Sequence, residues 1–181
     1  MSLIVTISGS PGAASRTSAL TTRVGRALAG QGFEVESINV RDLPAADLIH
    51  AATDAPALQP ALALVERARG VVIATPIYKA SYTGVLKTFL DLLPQFGLLD
   101  KVVLPLATGG TLAHVLAIDY ALRPVLHALG AHHVVPGLFV LDKLITSLGD
   151  GQFELDPDIQ ARLQTVVDDF ARSLHRRHPL T

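Results

Sequence analysis

The sequence has 181 residues, of which 49% are hydrophobic and 17% charged, and its formal net charge is −1. This length and composition predict a single domain over residues 1–181 with a sizeable core. The near-neutral charge argues against nucleic-acid binding, and the absence of cysteine excludes disulfides, thiol catalysis and Cys-ligated zinc. No apolar run reaches the ~18 residues of a membrane span and no basic segment precedes the first strand, so we expect a cytoplasmic protein.

The most informative stretch lies near the start of the chain. An apolar run over residues 3–8 predicts a buried parallel strand, which a loop with Gly9, Pro11 and Gly12 ends. Hydroxyls and one cation follow where a helix begins: Ser10, Ser15, Arg16, Thr17 and Ser18. A helix N-terminus has unpaired N–H groups and the positive end of the helix dipole, so this stretch is a candidate phosphate site. An ordinary capped loop between strand and helix is an equal alternative.

Three known motifs are absent from this loop. It lacks G-x-x-x-x-G-K-[ST], which argues against a nucleoside triphosphate site, and G-x-G-x-x-G, which argues against a dinucleotide along the helix. It misses the hydrolase motif G-x-S-x-G by one residue, because Ser8 stands where the first glycine should be. A hydrolase with Ser10 as nucleophile is therefore a weak alternative.

The rest of the chain alternates between apolar runs and helical patterns. Further strands are predicted at 33–40, 71–75, 101–107 and 132–140, the last of them interrupted by Pro136-Gly137, and helices at 17–30, 61–68, 85–93, 112–129 and 157–175. We expect 41–60 to be an irregular connection, while 141–156 has little periodicity apart from a turn at 149–151. Pro105 should mark a strand end or a bulge, and Pro124 should kink its helix.

This alternation predicts an α/β fold of the flavodoxin-like type. We expect a three-layer sandwich around a five-stranded parallel sheet of order 2-1-3-4-5. Strands 1, 3 and 4 are neighbours in that order, and their following loops are the richest in glycine, proline and hydroxyl residues. Ligands of such sheets bind at the carboxyl ends of the strands, so these three loops should form one site.

Several motifs together resemble the NADPH-dependent FMN reductase family. They are Gly9-Ser10-Pro11 with Ser15-Arg16, then Thr75-Pro76-Ile77-Tyr78-Lys79, Ser81-Tyr82-Thr83-Gly84, and Leu86-Lys87 with Asp91. Residues 104–126 look like the subgroup that serves two-component alkanesulfonate monooxygenases. The likeness covers about residues 3–140 and resumes near 174–177, whereas 141–151 does not match and the first loop lacks the arginine often found after its GSP.

The resemblance implies FMN and NADPH as cofactors and a set of FMN contacts. The phosphate would lie on Ser10, Ser15, Arg16, Thr17 and Ser18, and the ring near Pro76, Ile77, Tyr78, Lys79, Thr108, Gly109, Gly110 and Thr111. Gly109 and Gly110 would let the backbone approach the ring closely, although a plain turn is the alternative. Tyr78 could equally be a packing residue, Lys79 is more typically a solvated charge, and Lys87 could simply pair with Asp91.

No catalytic acid or base is required, because hydride passes from nicotinamide C4 to flavin N5. Backbone amides at 108–111 are candidates for stabilising charge near flavin N1. Four histidines, His114, His127, His132 and His133, lack a carboxylate cluster, so we expect no metal site. His175, Arg176, Arg177 and His178 could contact the NADPH 2′-phosphate, although a solvated helix end is favoured.

The resemblance favours an enzyme that supplies reduced FMN to a flavin-dependent monooxygenase. Two alternatives are a quinone or azo-compound reductase that retains FMN, and a flavodoxin-type electron carrier, against which the small net charge counts. The 112–129 helix is apolar on most sides, which predicts a homo-oligomer, and the likeness implies dimers pairing into a tetramer.

The segment 117–122, which contains Tyr120, resembles the place where the monooxygenase-linked subgroup carries one extra residue. An inserted residue in a helix is accommodated as a π-bulge, and such bulges occur often at functional sites. We therefore expect a π-bulge that directs Tyr120 towards the flavin of a neighbouring subunit. A tyrosine that only packs in the interface is an equal alternative.

Overall fold

A parallel sheet forms the centre of the computed structural model, which describes residues 2–177. Its six strands have the order β2-β1-β3-β4-β5, with β6 also paired to β4. Their bounds are β1 Leu3–Ser8, β2 Glu34–Asn39, β3 Gly70–Pro76, β4 Val102–Gly109, β5 His133–Val134 and β6 Leu138–Leu141. Every residue of β1, β3 and β4 is buried, as in a sheet covered on both faces. The predicted fold and strand order are confirmed.

Helices cover both faces of the sheet. They are α1 Arg16–Gly30, α2 Ala45–Ile49, α3 Gln59–Arg67, α4 Gly84–Leu90, α5 Arg123–Ala128 and α6 Pro157–Arg177. The apolar sides of α1 and α6 share one core cluster, and α2 to α5 contribute to a second cluster on the opposite face. None of the described helices is long and apolar enough to span a membrane.

The predicted interruption of the fifth strand is confirmed, because this strand is divided into two pieces. Both pieces pair with β4, and the break lies at Pro136 and Gly137. Pro105 lies inside β4, so the predicted strand end or bulge was wrong. The carbonyl of Val103 accepts a hydrogen bond from the Val135 N–H. The backbone polar groups of alternate β4 residues, including Pro105, therefore point towards the divided strand. A backbone N–H at position 105 would point to the break between β5 and β6. Proline is tolerated there because no described strand offers an acceptor for that N–H.

Two segments hold structure that the sequence did not predict. The irregular connection 41–60 contains α2, and the weakly patterned 141–156 segment forms a hairpin of β7 Ile145–Gly149 and β8 Gln152–Leu155. The hairpin turn lies at the predicted 149–151, where all three residues have positive φ. Because most of this hairpin is exposed, its sequence lacks the alternating pattern of a strand with one buried face.

The predicted 112–129 helix is irregular rather than continuous. A 3₁₀ turn at Leu112–His114 is followed by a π-helix at Ile118–Leu122 and then by α5. Pro124 lies in the first turn of α5, where no N–H is needed, so the kink predicted within one helix was wrong. The predicted π-bulge is confirmed, and Tyr120 is its central residue.

Candidate active site

The loops after β1, β3 and β4 meet at the carboxyl edge of the sheet, as predicted. Pro76 at the end of β3 pairs with Thr108 at the end of β4. The N–H of Ile77 donates to the Thr108 carbonyl at 2.8 Å, and the N–H of Gly9 donates to the Ala74 carbonyl at 2.8 Å. Backbone hydrogen bonds therefore join all three loops, which form one crevice.

Buried threonine hydroxyls fix the loops to one another. The hydroxyls of Thr17 and Thr108 lie 2.7 Å apart and join the start of α1 to the end of β4. The Thr83 hydroxyl donates to the Gly9 carbonyl at 2.6 Å, and the Thr83 N–H donates to the Thr75 hydroxyl at 3.1 Å. The sequence pointed to no contact for Thr75 or Thr83, although both belong to the motifs that carry the family resemblance.

The Thr17–Thr108 pair predicts a measurable coupling. Replacing either residue with valine leaves the other hydroxyl buried without this partner, which should lower the free energy of unfolding by about 1–3 kcal/mol. The double variant removes both groups, so its loss should be smaller than the sum of the two single losses by about 1 kcal/mol. Urea unfolding of the four proteins measures this difference. Thr165→Val on the exposed side of α6 is the control, and strictly additive losses would contradict the coupling.

The first turn of α1 presents free backbone donors. Ser15 caps the helix and accepts a hydrogen bond from the Ser18 N–H at 3.3 Å. Within residues 2–177 the N–H groups of Arg16 and Thr17 have no acceptor, as expected of the first helical residues. The hydroxyl of buried Ser10 accepts from the Gly12 N–H at 3.4 Å. These amides make the loop a site suited to an anion.

Three predicted phosphate contacts have partners within the protein. The Thr17 hydroxyl is paired with Thr108, and the Ser18 hydroxyl lies 3.1 Å from that of Ser8. Arg16 donates from Nε to the Ile145 carbonyl at 3.0 Å, which attaches the β7–β8 hairpin to the start of α1. An anion bound at this loop would therefore rely more on backbone amides than the sequence suggested, and Arg16 also has a structural role.

The loop after β3 contains a tight turn with unusual backbone angles. Tyr78 and Ser81 exchange two backbone hydrogen bonds, of 2.9 and 3.1 Å. Lys79 and Ala80 between them have φ of 51° and 64°, which matches a type I′ turn without its usual glycine or asparagine. Such strained residues cluster at ligand sites. Pro76 and Ile77 are buried, whereas Tyr78 is 55% exposed and Lys79 is also exposed.

The two glycines after β4 have different environments. A Cβ on Gly109 would lie 2.9 Å from the Phe139 ring, so packing within the protein explains this glycine. This packing is a second reason for glycine at position 109, and the predicted contact of Gly109 with the flavin ring stays a prediction. Gly110 and Thr111 are exposed, and a Cβ on Gly110 would approach no atom closer than 3.9 Å.

Three further basic residues have structural partners. Lys87 contacts Asp91 through hydrogen bonds of 2.6 and 2.8 Å, and this contact raises the pKa of the lysine. His175 stacks on Phe33, and Arg177 pairs with Asp100, at the edge of the sheet where β2 and β4 begin. These two residues of the suggested NADPH contact therefore lie at the edge opposite the crevice.

The histidines and the basic residues at the end of α6 remain to be placed. No group of three or more His, Asp or Glu side chains that could hold a metal ion occurs within residues 2–177. Arg176 lies with its neighbours at the end of α6, and His178 lies outside the described residues.

Comparison with known proteins identifies the family. The profile described as NADPH-dependent FMN reductase matches residues 2–145. The chain belongs to this family. It is 44% identical to FMN reductase (NADPH) of Escherichia coli over 96% of this chain and 91% of the relative. It is 45% identical to FMN reductase (NADPH) of Pseudomonas putida over 97% of this chain and 89% of that relative.

A solved structure supports the same assignment. An NADH:FMN oxidoreductase in its apo form superposes with a TM-score of 0.88 at 41% identity, covering 99% of this chain and 97% of that one. The protein is thus an NADPH-dependent FMN reductase with FMN and NADPH as its cofactors. Its flavodoxin-like fold is that of its structural relatives.

Proposed function

We propose that the crevice binds FMN with its phosphate at the start of α1 and its ring between the other two loops. The free N–H groups of Arg16 and Thr17 and the exposed backbone at Gly110 support this assignment. The proposed contacts are those that the sequence predicted: Ser10, Ser15, Arg16, Thr17 and Ser18 for the phosphate, and Pro76, Ile77, Tyr78, Lys79, Thr108, Gly109, Gly110 and Thr111 for the ring. Gly109 contributes through its backbone only.

The protein's part in the reaction is binding and orientation. Bound FMN supplies the hydride acceptor for NADPH, so the chain needs no acid or base of its own. The amides at the start of α1 hold the phosphate. The Thr17 hydroxyl, paired with that of Thr108, and the Thr83 hydroxyl, which donates to the Gly9 carbonyl, keep the phosphate loop fixed against the ring loops. Fixed amide dipoles in the turn after β4 stabilise negative charge without reorganisation.

The phosphate assignment predicts weaker FMN binding when Ser10 and Arg16 are both replaced by alanine. A charge-assisted contact contributes about 1.5–3 kcal/mol, so the dissociation constant should rise at least tenfold. Flavin fluorescence titration measures it, and circular dichroism checks the fold, because Arg16 also holds Ile145. Arg172→Ala on α6, which removes an arginine paired with Asp169, is the control. Unchanged affinity in the double variant would remove the phosphate assignment.

The π-helix is the observation that carries the wider proposal. We propose that the reductase releases reduced FMN to a flavin-dependent monooxygenase of the alkanesulfonate type, as part of sulfur metabolism. The irregular segment before α5 exposes four large apolar side chains: Leu112, Val115, Leu116 and Tyr120. A cluster of this kind is typical of a protein interface, and it supports a homodimer or homotetramer formed through this segment.

The deciding experiment separates released from retained flavin. The purified reductase is assayed for NADPH oxidation with and without free FMN, and then with an alkanesulfonate monooxygenase and its sulfonate, with sulfite as the product measured. Oxidation that requires free FMN, together with sulfite release, supports the proposal. FMN that remains bound through purification and passes electrons to quinones or azo compounds supports the retained-flavin alternative. If a separate reductase reduces the bound flavin while this protein does not itself oxidise NADPH, the protein is an electron carrier.

Light scattering tests the proposed assembly. A dimer or tetramer at micromolar concentration is expected, and Leu116→Asp should dissociate it because a charge would be buried in the interface. Leu148→Asp, at an exposed apolar position on the β7–β8 hairpin, is the matched control. A monomeric parent protein would refute the assembly but not the reductase activity.

A further inference from the structure

An open groove of about 800 Å³ lies beside the phosphate loop, on the outer side of the sheet. One wall is α1, and the other is formed by the β7–β8 hairpin and α6. Its volume falls within the range of small-molecule sites, about 300–1,000 Å³. Of the FMN contacts proposed above, only Ser15 and Ser18 also line this groove, at the start of α1.

The groove is cationic. Arg23 and Arg26 line it from α1, and neither guanidinium makes an ion pair or a hydrogen bond with any residue of 2–177. The lining contains no Asp or Glu, and its other polar groups include the amides of Gln152, Gln160 and Gln164. Arginine without a local carboxylate favours a phosphate, which it can bind through two hydrogen bonds.

The groove and the crevice are adjacent through the start of α1. Thr17 faces the crevice, where it contacts Thr108, while Ser15 and Ser18 line the groove. Arg23 follows Ser18 by five residues, which corresponds to about 7.5 Å along a helix. A ligand that extends from the crevice past the phosphate loop therefore meets this pair of arginines.

We infer that the groove binds the adenosine half of NADPH, with Arg23 and Arg26 on its 2′-phosphate. The hydride donor has this phosphate, and the basic C-terminal cluster lies at the opposite edge of the sheet. The half-buried ring of Phe153 gives the groove an apolar surface against which a purine can pack. The arginines then determine the preference for NADPH over NADH.

Direct binding of adenosine 2′,5′-bisphosphate tests this assignment without turnover. In the double variant Arg23→Gln with Arg26→Gln, its dissociation constant by calorimetry should rise about tenfold or more. Binding of adenosine 5′-monophosphate, which lacks the 2′-phosphate, should change by less than about twofold because it does not use these contacts. Arg162→Gln is the matched control, since Arg162 lies on α6 but does not line the groove.

Steady-state kinetics with free FMN supply the second measurement. The double variant should have a KM for NADPH raised about tenfold, while kcat and the KM for NADH stay near those of the parent. An unchanged ratio of the two KM values, or an equal loss in Arg162→Gln, would overturn the inference. Release of FMN to a monooxygenase is measured separately, so failure of that proposal leaves this result interpretable.

Discussion

Gly9→Ala should destabilise the reductase by about 3 kcal/mol, because the added methyl group has no space. A Cβ on Gly9 would lie 2.5 Å from Cβ of Leu86 and 3.3 Å from its Cα, so no rotamer change of Leu86 relieves the contact. The loop cannot move away freely. The N–H of Gly9 donates to the Ala74 carbonyl, and the carbonyl of Gly9 accepts a hydrogen bond from the Thr83 hydroxyl. Because the methyl group would displace the phosphate loop, FMN binding should also weaken.

Urea unfolding measures this loss, with Gly84→Ala as the matched control. Gly84 begins α4, has no positive φ, and an added Cβ would meet no atom within 4 Å. Alanine there should be neutral or stabilising by about 0.4–1 kcal/mol. A Gly9→Ala protein with the stability of the parent would contradict the close packing of the first loop against α4.

The sheet was predictable because its central strands are continuous apolar runs. Leu3–Ser8 and Gly70–Pro76 are buried throughout, so local composition alone marks them as strands of a covered parallel sheet. The interruption of the last strand was also predictable, because Pro136 and Gly137 both mark breaks in a strand. The close approach at Gly137 was not, because an added Cβ there would lie 2.5 Å from the Pro105 carbonyl, a contact between distant parts of the chain.

The position of the site followed from strand order, whereas its internal bonds did not. Three loops rich in glycine and hydroxyl residues had to meet once β1, β3 and β4 were neighbours. The hydroxyl pair of Thr17 and Thr108 joins residues 91 apart in sequence, which no local pattern encodes. The turn at Lys79 and Ala80 contradicts local preferences, and such a contradiction is expected where a ligand site constrains the backbone.

The π-helix gives the second large prediction, which concerns Tyr120. The N–H of Arg123 donates to the Ile118 carbonyl, five residues before it, so this turn holds one residue more than an α-helical turn. Tyr120 is 79% exposed at its centre, and the Asp119–Arg123 ion pair lies beside it. Deleting Tyr120 removes the extra residue and restores α-helical spacing, so the fold should survive.

We expect deletion of Tyr120 to leave FMN bound through purification and to slow NADPH oxidation with free FMN at least tenfold, or ~1.4 kcal/mol. The physical reason is the proposed assembly, in which the π-bulge would present the tyrosine to a neighbouring subunit's crevice and loosen the flavin there. Tyr120→Ala should act in the same direction because it removes the side chain but keeps the bulge. The visible flavin spectrum of the purified proteins and the oxidation rate are the two measurements.

Tyr120→Phe is the matched control for the aromatic contact, since it keeps the ring and removes only the hydroxyl. If the ring governs flavin release, this variant should resemble the parent, and light scattering should report the same assembly for both. A tyrosine that only packs in an interface predicts a different pattern, in which the deletion changes assembly but not flavin retention. If the deletion and Tyr120→Ala both release FMN and turn over like the parent, Tyr120 has no role in flavin release, while the NADPH-dependent reductase activity is unaffected.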